Sequence, residues 1–357
     1  MRSGHLVGLT AASLLLCIAA TLAAAQNQAL EIINVAPGVY AAIYAEYRMD
    51  PIEGNSLIVV GGDSVMVLDS GRTPDAARAM IAEIRKITPL PVHQVINSHW
   101  HDDHIFGNQA YRDAFPGVEF IAHRHTRTDM LERSIPSLVD YGLEYWTKMA
   151  ERFEAQLGKG TRQDGSPLTE DQKQRLRDQA RTVREFLPKV DSLRVVLPTI
   201  VVDDDLTIYQ GEREIRIMHL GSGNTAGDLV VYLPGEGVVA TGDVLVHPVP
   251  FAYGSDVASW IEVLKSLRQI EAKVIVPGHG PLMRDKAYVE LLIELFESLL
   301  TQVRAAVKAG LSLDETRKTI DLKTFRDRLA GDDVFRRNMF ADSIVREAVE
   351  RTYKAVK

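Results

Sequence analysis

Six consecutive residues, His99-Trp100-His101-Asp102-Asp103-His104, gather side chains that bind metal ions. In an extended segment, residues two apart point to the same side, so His99 and His101 can grip one ion together. Asp103 and His104 stand where the chain is expected to turn into a helix, from Ile105 onward, and can swing toward a second ion nearby. Imidazole suits zinc, iron and similar metals, while a carboxylate adds charge and can orient a bound water. A structural zinc site more often uses thiolates, alone or with histidine, and leaves no open position. The spacing therefore points to a catalytic metal site rather than to a polar loop rich in histidine.

The elements that must position this run begin after a stretch that does not read as part of the fold. Arg2 precedes an apolar run from Leu6 to Ala25 that ends in Leu22-Ala23-Ala24-Ala25. That is the pattern of a secretory signal peptide cleaved near Ala25, and it predicts a periplasmic or secreted protein. An uncleaved anchor fits less well, because the run carries Gly8, Thr10, Ser13 and Thr21. A lipid anchor fits less well too, because Leu16 precedes Cys17 where a small residue is wanted. Cys17 is the only cysteine of the 357 residues, so a mature chain would hold metal through nitrogen and oxygen alone. The net charge of -7, or -8 once Arg2 is removed, and the lack of a long basic run argue against a nucleic-acid partner. Nothing after Ala25 is apolar enough to span a membrane.

From Ile32 to Leu68 the sequence reads as short strands broken at Pro37-Gly38, Gly54-Asn55 and Gly61-Gly62-Asp63. The strand Val65 to Leu68 closes on Asp69-Ser70-Gly71, and Thr73-Pro74 starts a helix running to about Lys86. The strand Val92 to Ile96 leads directly into the metal-binding run; a helix to about Ala114 and a strand Glu119 to Ile121 follow. Strand, helix, strand with ligands at strand ends predicts a layered fold of sheets and helices. Residues of about 124–190 are rich in Arg, Glu, Gln and Leu, with a capping box at Thr169 and Gln172. They read as a helical insertion between two halves of the sheet, either a lid over the site or a hairpin packed on its edge. Strands resume from about Leu193, with Ile215 to Met218, Leu229 to Leu233 and Val238 to Ala240. Residues 286–357 read as a helical C-terminal extension, whose apolar stripe from Val289 to Val303 serves mainly for packing.

Three later motifs complete the pattern: the glycine-rich turn Gly221 to Asp228, Thr241-Gly242-Asp243 and Val276-Pro277-Gly278-His279-Gly280. Together with Asp69-Ser70-Gly71 and Ser98 to His104, in this order, they carry a resemblance to the metallo-beta-lactamase superfamily over about Gly38 to Pro281. The resemblance implies an α+β fold, a four-layer αββα sandwich with the metals at one edge between the sheets, occupying residues 26–285. It implies one metal site from His99 and His101 and a second from Asp103, His104 and His279, with Asp243 bridging both. The family's Gly-His-Thr turn reads Gly223-Asn224-Thr225 here. Asn224 thus stands in the place of the third nitrogen ligand of the first ion, and an amide oxygen is a weaker donor to zinc than imidazole. His219, five residues earlier, could substitute.

A metal ion lowers the pKa of bound water from about 15.7 toward about 7 and polarises the oxygen of a substrate. Asp103 would be the catalytic residue, orienting the attacking water while it ligates. Asp102 reads as a turn carboxylate, His123 and His125 as structural, and His247 as a loop histidine that could instead donate a proton. The cofactor expected is one or two Zn2+ ions, with iron or manganese as alternatives. The expected substrate is a small-molecule ester, lactam, lactone or related compound. Beta-lactams are possible, although the lysine that often holds their carboxylate, three residues after the bridging position, is Val246 here. Two other readings stay open: a mononuclear iron oxidoreductase of the same fold, and a non-catalytic descendant that only binds metal.

Overall fold

A computed structural model describes residues 30–44, 53–137, 142–161, 165–254 and 256–357. The expected leader lies outside these residues. Valine- and isoleucine-rich segments form two sheets. The first has seven strands in sequential order: β1 (Leu30–Ala36), β2 (Val39–Tyr44), β3 (Ser56–Val60), β4 (Val65–Leu68), β5 (Val92–Ile96), β6 (Glu119–His123) and β7 (Ile200–Val202). Strands β1 to β4 form an antiparallel meander, and β4 to β7 run parallel. The second sheet has β8 (Asp205–Gln210), β9 (Arg213–Met218), β10 (Val230–Leu233), β11 (Val238–Ala240) and β12 (Val274–Val276), ordered 12-11-10-9-8. Only β11 and β12 are parallel there.

Alternation along the strands sorts side chains into layers. Leu57, Val59, Met66 and Leu68 face the second sheet, whose Ile215, Ile217, Val231 and Leu233 meet them. The intervening Ile58, Val65 and Val67 point the other way, onto helix α1 (Pro74–Ile87) and helix α3 (Asn108–Ala114). Helix α1 begins as its sequence predicts: Thr73 Oγ1 accepts from the Ala76 amide at 3.0 Å, and Pro74 occupies the first turn. Its Ala77, Met80, Ile81 and Ile84, on one helical face, are buried, each large side chain contributing about 1.5–3 kcal/mol. On the outer face of the second sheet, Val230, Tyr232, Val239 and Ile275 pack on helix α7 (Val257–Gln269) and helix α8 (Ala287–Lys308). Helix, sheet, sheet, helix is the four-layer sandwich.

The C-terminal helices α9 (Leu313–Thr319), α10 (Lys323–Ala330), α11 (Val334–Met339) and α12 (Val349–Val356) share that outer core, with Phe340 and Ile344 fully buried in it. Most of the α8 stripe is core as well, with Leu291 and Leu300 only partly buried.

The crossover from β6 to β7 differs from the sequence-based expectation in two ways. The segment of about residues 124–190 joins β6 to its parallel neighbour β7 within one sheet, so it is an enlarged crossover and not a divider between halves. Its helices α4 (Arg124–Asp129), α5 (Gly142–Lys159) and α6 (Glu170–Phe186) include the expected capping box at Thr169 and Gln172. The apolar faces of α5 and α6, with Met130, enclose Ile105 and Phe106, directly behind the metal-binding run. The second difference is at the end of this crossover. Leu193, Val195 and Leu197 pack against the inserted helices without pairing, and the ladder begins only at Ile200.

Candidate metal centre

Parallel neighbours finish at the same level, so the loops that leave them converge. In the first sheet, β4 delivers Asp69 and β5 delivers Ser98 and His99. In the second, β11 delivers Asp243 and β12 delivers His279. The metal-binding run turns at His101, which caps a single helical turn, α2 (Asp102–Ile105). This turn starts three residues earlier than its apolar pattern suggests, because its first residues are the ligand candidates themselves.

Two groups of donors result: His99, His101 and Asp243, and Asp103, His104 and His279. In the first, His99 Nε2 lies 2.8 Å from His101 Nδ1 and 3.5 Å from Asp243 Oδ2. In the second, His279 Nε2 lies 3.1 Å from Asp103 Oδ2, and His104 Nε2 lies 3.6 Å from the same oxygen. Asp243 turns its other oxygen toward this group, with Oδ1 3.3 Å from His104 Nε2 and 3.4 Å from His279 Nε2. His99 and His104 are fully buried, Asp243 and His279 nearly so, and His101 is partly exposed at the mouth. His104 Nε2 and Asp243 Oδ1 are buried atoms with no hydrogen-bond partner. Native proteins rarely leave such atoms unsatisfied, and a cation between them would satisfy both.

The charges fit the same reading. Burial, aided by the neighbouring His99, pushes His101 down to about 3, so that it stays the neutral imidazole a metal requires. Burial would raise Asp103, but His104, His279 and Arg72 hold it well below the usual carboxylate range. Asp243 behaves alike, with His279, His104 and His99 overcoming its burial. Burial likewise opposes a charge on His104, yet Asp103, Asp243 and Asp69 raise it well above its ordinary value. Two ionised carboxylates in a buried pocket attract positive charge, whether protons or metal ions.

Asp69 orders the pocket from behind. It adopts the left-handed backbone at φ 62°, which Asp and Asn tolerate better than most residues. Its Oδ2 accepts from His104 Nδ1 and from Ser98 Oγ, both at 2.7 Å, and its Oδ1 accepts from the Ser98 amide at 2.7 Å. Holding the proton on Nδ1 leaves the Nε2 lone pair of His104 directed into the pocket. The Ser98 hydroxyl also meets His99 Nδ1 at 2.9 Å.

Two supporting residues escaped the sequence reading. Asn55, read only as a turn residue, donates to the carbonyls of Pro277 and Gly280 and accepts from the Tyr44 amide, locking the turn that presents His279. Arg72 places Nη2 3.3 Å from Asp102 and 3.9 Å from Asp103, with its guanidinium 5.6 Å from the Trp146 ring of α5. The Gly54-Asn55 motif marked a turn and Asp69-Ser70-Gly71 the end of a strand, but neither gave a sign of these long-range partners.

The remaining expected residues fall as follows. Asn224 is fully buried, and its Nδ2 donates to the Phe251 carbonyl at 2.6 Å. His219 stands outside both groups: it stacks on His123 at 4.0 Å, and its Nδ1 meets the Asp228 carbonyl. His247 packs beside Tyr288, and its backbone amide, not its ring, supports His279 through that residue's carbonyl at 3.1 Å. Asp102 accepts from Arg72 at the rim. His123 faces the Asp203 carbonyl, and His125 is exposed.

A four-layer sandwich with paired groups of metal donors at one edge between its sheets is the architecture of a metallo-hydrolase. The chain belongs to the metallo-beta-lactamase superfamily, whose profile matches residues 49–279. The linear primary-alkylsulfatase of Pseudomonas sp. (strain ATCC 19151) is 23% identical over 303 residues, which cover 82% of this chain and 53% of that enzyme. The chain thus spans about half the length of this relative. Among solved structures, the stereoselective inverting sec-alkylsulfatase Pisa1 from Pseudomonas sp. is similar with a TM-score of 0.62 and 16% identity, over 91% of this chain and 50% of that one. A metallo-beta-lactamase from Pontibacter korlensis is similar with a TM-score of 0.53 and 19% identity, over 75% of this chain and 99% of that one. Among the described residues, no helix is long and apolar enough to cross a membrane.

Proposed function

We propose that the chain is an exported, metal-dependent hydrolase of small organic esters, with sulfate esters the first class to test. The observation that carries the metal dependence is Asp243, whose two oxygens face two separate groups of buried donors. Support for the sulfate ester comes from the alkylsulfatase likenesses, which extend over more of the chain than the likeness to the beta-lactamase. The beta-lactam reading lacks an anchoring cation at Val246, which is fully buried.

His99, His101 and Asp243 would hold one ion, with Asn224 as a weak further donor through its amide oxygen. Asp103, His104, His279 and Asp243 would hold the other. Zn2+ suits these nitrogen and oxygen donors, and an ion there would make water acidic and draw charge from the ester oxygen. Asp103 would orient the attacking water while it ligates. Asp69 keeps His104 in the required tautomer, and Arg72 holds the negative charge of Asp103 in place.

The test is elemental analysis of protein purified without chelator, beside Asn224→His, with hydrolysis of a medium-chain alkyl sulfate followed by released sulfate. The expected result is zinc in the wild type, more zinc retained by Asn224→His after dialysis, and turnover abolished by chelator and restored by zinc. Bound iron without hydrolysis would overturn the proposal in favour of redox chemistry. Turnover of a chromogenic beta-lactam but not of the sulfate would overturn the substrate class.

A further inference from the structure

We infer that the C-terminal helical extension completes the first metal pocket, with Ser343 as a positioning residue that fixes the loop behind Asn224 and His101. The inference rests on the two-pocket reading above.

The loop in question, residues 245–254, follows Asp243 and runs to helix α7. Much of it is buried, including Leu245, Val246, Val249 and Ala252, yet it has almost no strand partner. Its backbone polar groups must therefore find partners elsewhere. Ser343, itself 1% exposed, supplies them on both sides of Phe251: its hydroxyl donates to the Pro250 carbonyl at 2.7 Å and accepts from the Ala252 amide at 2.7 Å. One side chain thus fixes the peptides on either flank of a single residue.

Phe251 in turn touches both Asn224, the further donor proposed above, and His101 of the first pocket. Its carbonyl accepts from Asn224 Nδ2 at 2.6 Å, which commits the nitrogen end of that amide and sets which way its oxygen lies. Its ring meets His101 edge-on, with centroids 6.0 Å apart. Two further contacts tie the same loop to the extension. Tyr253 donates to Asp342 Oδ2 at 3.1 Å, and Tyr288 of α8 donates to the Val246 carbonyl. Ser343 lies in a π-helical stretch, Phe340–Ala348, a rare conformation that recurs at functional sites. The wider turn sits where Phe340 and Ile344 anchor in the core while Asp342 and Ser343 reach the loop. No part of the extension contributes to either group of donors, so its action on the pocket is through Phe251.

The experiment uses the full chain and titrates Zn2+ against a competing chelator, resolving the two ions. His101→Ala must selectively abolish one of them; if it does not, the two-pocket reading fails and this inference with it. With that control in hand, Ser343→Ala is expected to weaken the ion lost in His101→Ala by about tenfold or more, and to leave the other within about twofold. A merely structural serine would alter both ions equally or neither, and either result overturns the inference while sparing the reading beneath it. Tyr253→Phe removes only the outer contact and decides the matter should Ser343→Ala fail to fold. Selective weakening of the same ion supports the inference, and wild-type affinity for both overturns it.

Discussion

Replacing Asp69 by Asn tests whether the pocket depends on a held tautomer. Asn tolerates the left-handed conformation at φ 62° and nearly matches the shape of Asp, so the backbone has no reason to move. The hydrogen bonds cannot all survive. An Asn oxygen must face the Ser98 amide, because an NH2 there would oppose donor to donor. The NH2 then takes the place of Oδ2, which now accepts from both Ser98 Oγ and His104 Nδ1 at 2.7 Å. The serine hydroxyl can rotate and accept. The imidazole can accept at Nδ1 only by moving its proton to Nε2, the atom that faces Asp243 at 3.3 Å. A protonated Nε2 is no metal ligand.

The loss expected is that of an outer partner to a ligating histidine, about 10–100-fold in affinity or about 1.4–2.8 kcal/mol. It should fall on the ion held by Asp103, His104 and His279, since His104 alone changes donor state. Chelator competition on wild type and Asp69→Asn measures it, with far-ultraviolet circular dichroism confirming the fold. Wild-type affinity for both ions in the variant would refute the tautomer argument. A larger loss at the His99 and His101 pocket would refute the assignment of Asp69 to His104.

Gly54→Ala should have a related effect by steric means, because a Cβ there would stand 2.5 Å from His104 Cε1 in a ring with no room to retreat. We expect about 1–3 kcal/mol lost in thermal or urea unfolding, together with weaker binding of the same ion; unchanged values for both would show that the ring can shift freely. Glu53 gives a pH dependence. Burial pushes its carboxyl up from 4.5 to about 8, against the opposing Arg72 amide and charge. Between those values the folded chain keeps a proton that the unfolded chain has released, so stability falls as pH rises through the window, by at most about 1.4 kcal/mol per pH unit. Glu53→Gln should flatten that slope and gain on the wild type above pH 8, and parallel urea-unfolding midpoints across the window would reject the assignment. Asn224→His, finally, should raise retention of the ion bound by His99 and His101, which elemental analysis after dialysis reads directly.

What the sequence made legible was local. Helix α1 could be placed because Thr73 and Pro74 mark its start and its apolar residues recur with helical period. The ligand run could be found because five of its six side chains are of types that can bind metal, within one short stretch. Errors arose where a local pattern met a non-local partner. Leu193, Val195 and Leu197 look like part of a strand but are apolar because the inserted helices cover them. Helix α2 starts at Asp102, before the apolar residues that announced it, since its first turn is polar for chemistry rather than for packing.

The residues that tune the centre lay further out of reach. Asn55 acts on a turn 222 residues away, and Ser343 on a loop 93 residues before it. Neither has a neighbour in sequence that states its purpose, because a hydrogen bond to a distant backbone carbonyl leaves no period and no spacing. A metal ligand must be one of a few residue types, whereas the group that turns it is any donor or acceptor the fold brings within 3 Å or so. The class of chemistry is therefore written in the ligands. Its adjustment is written in the fold, and on the inference drawn above the first pocket would also depend on the C-terminal helices.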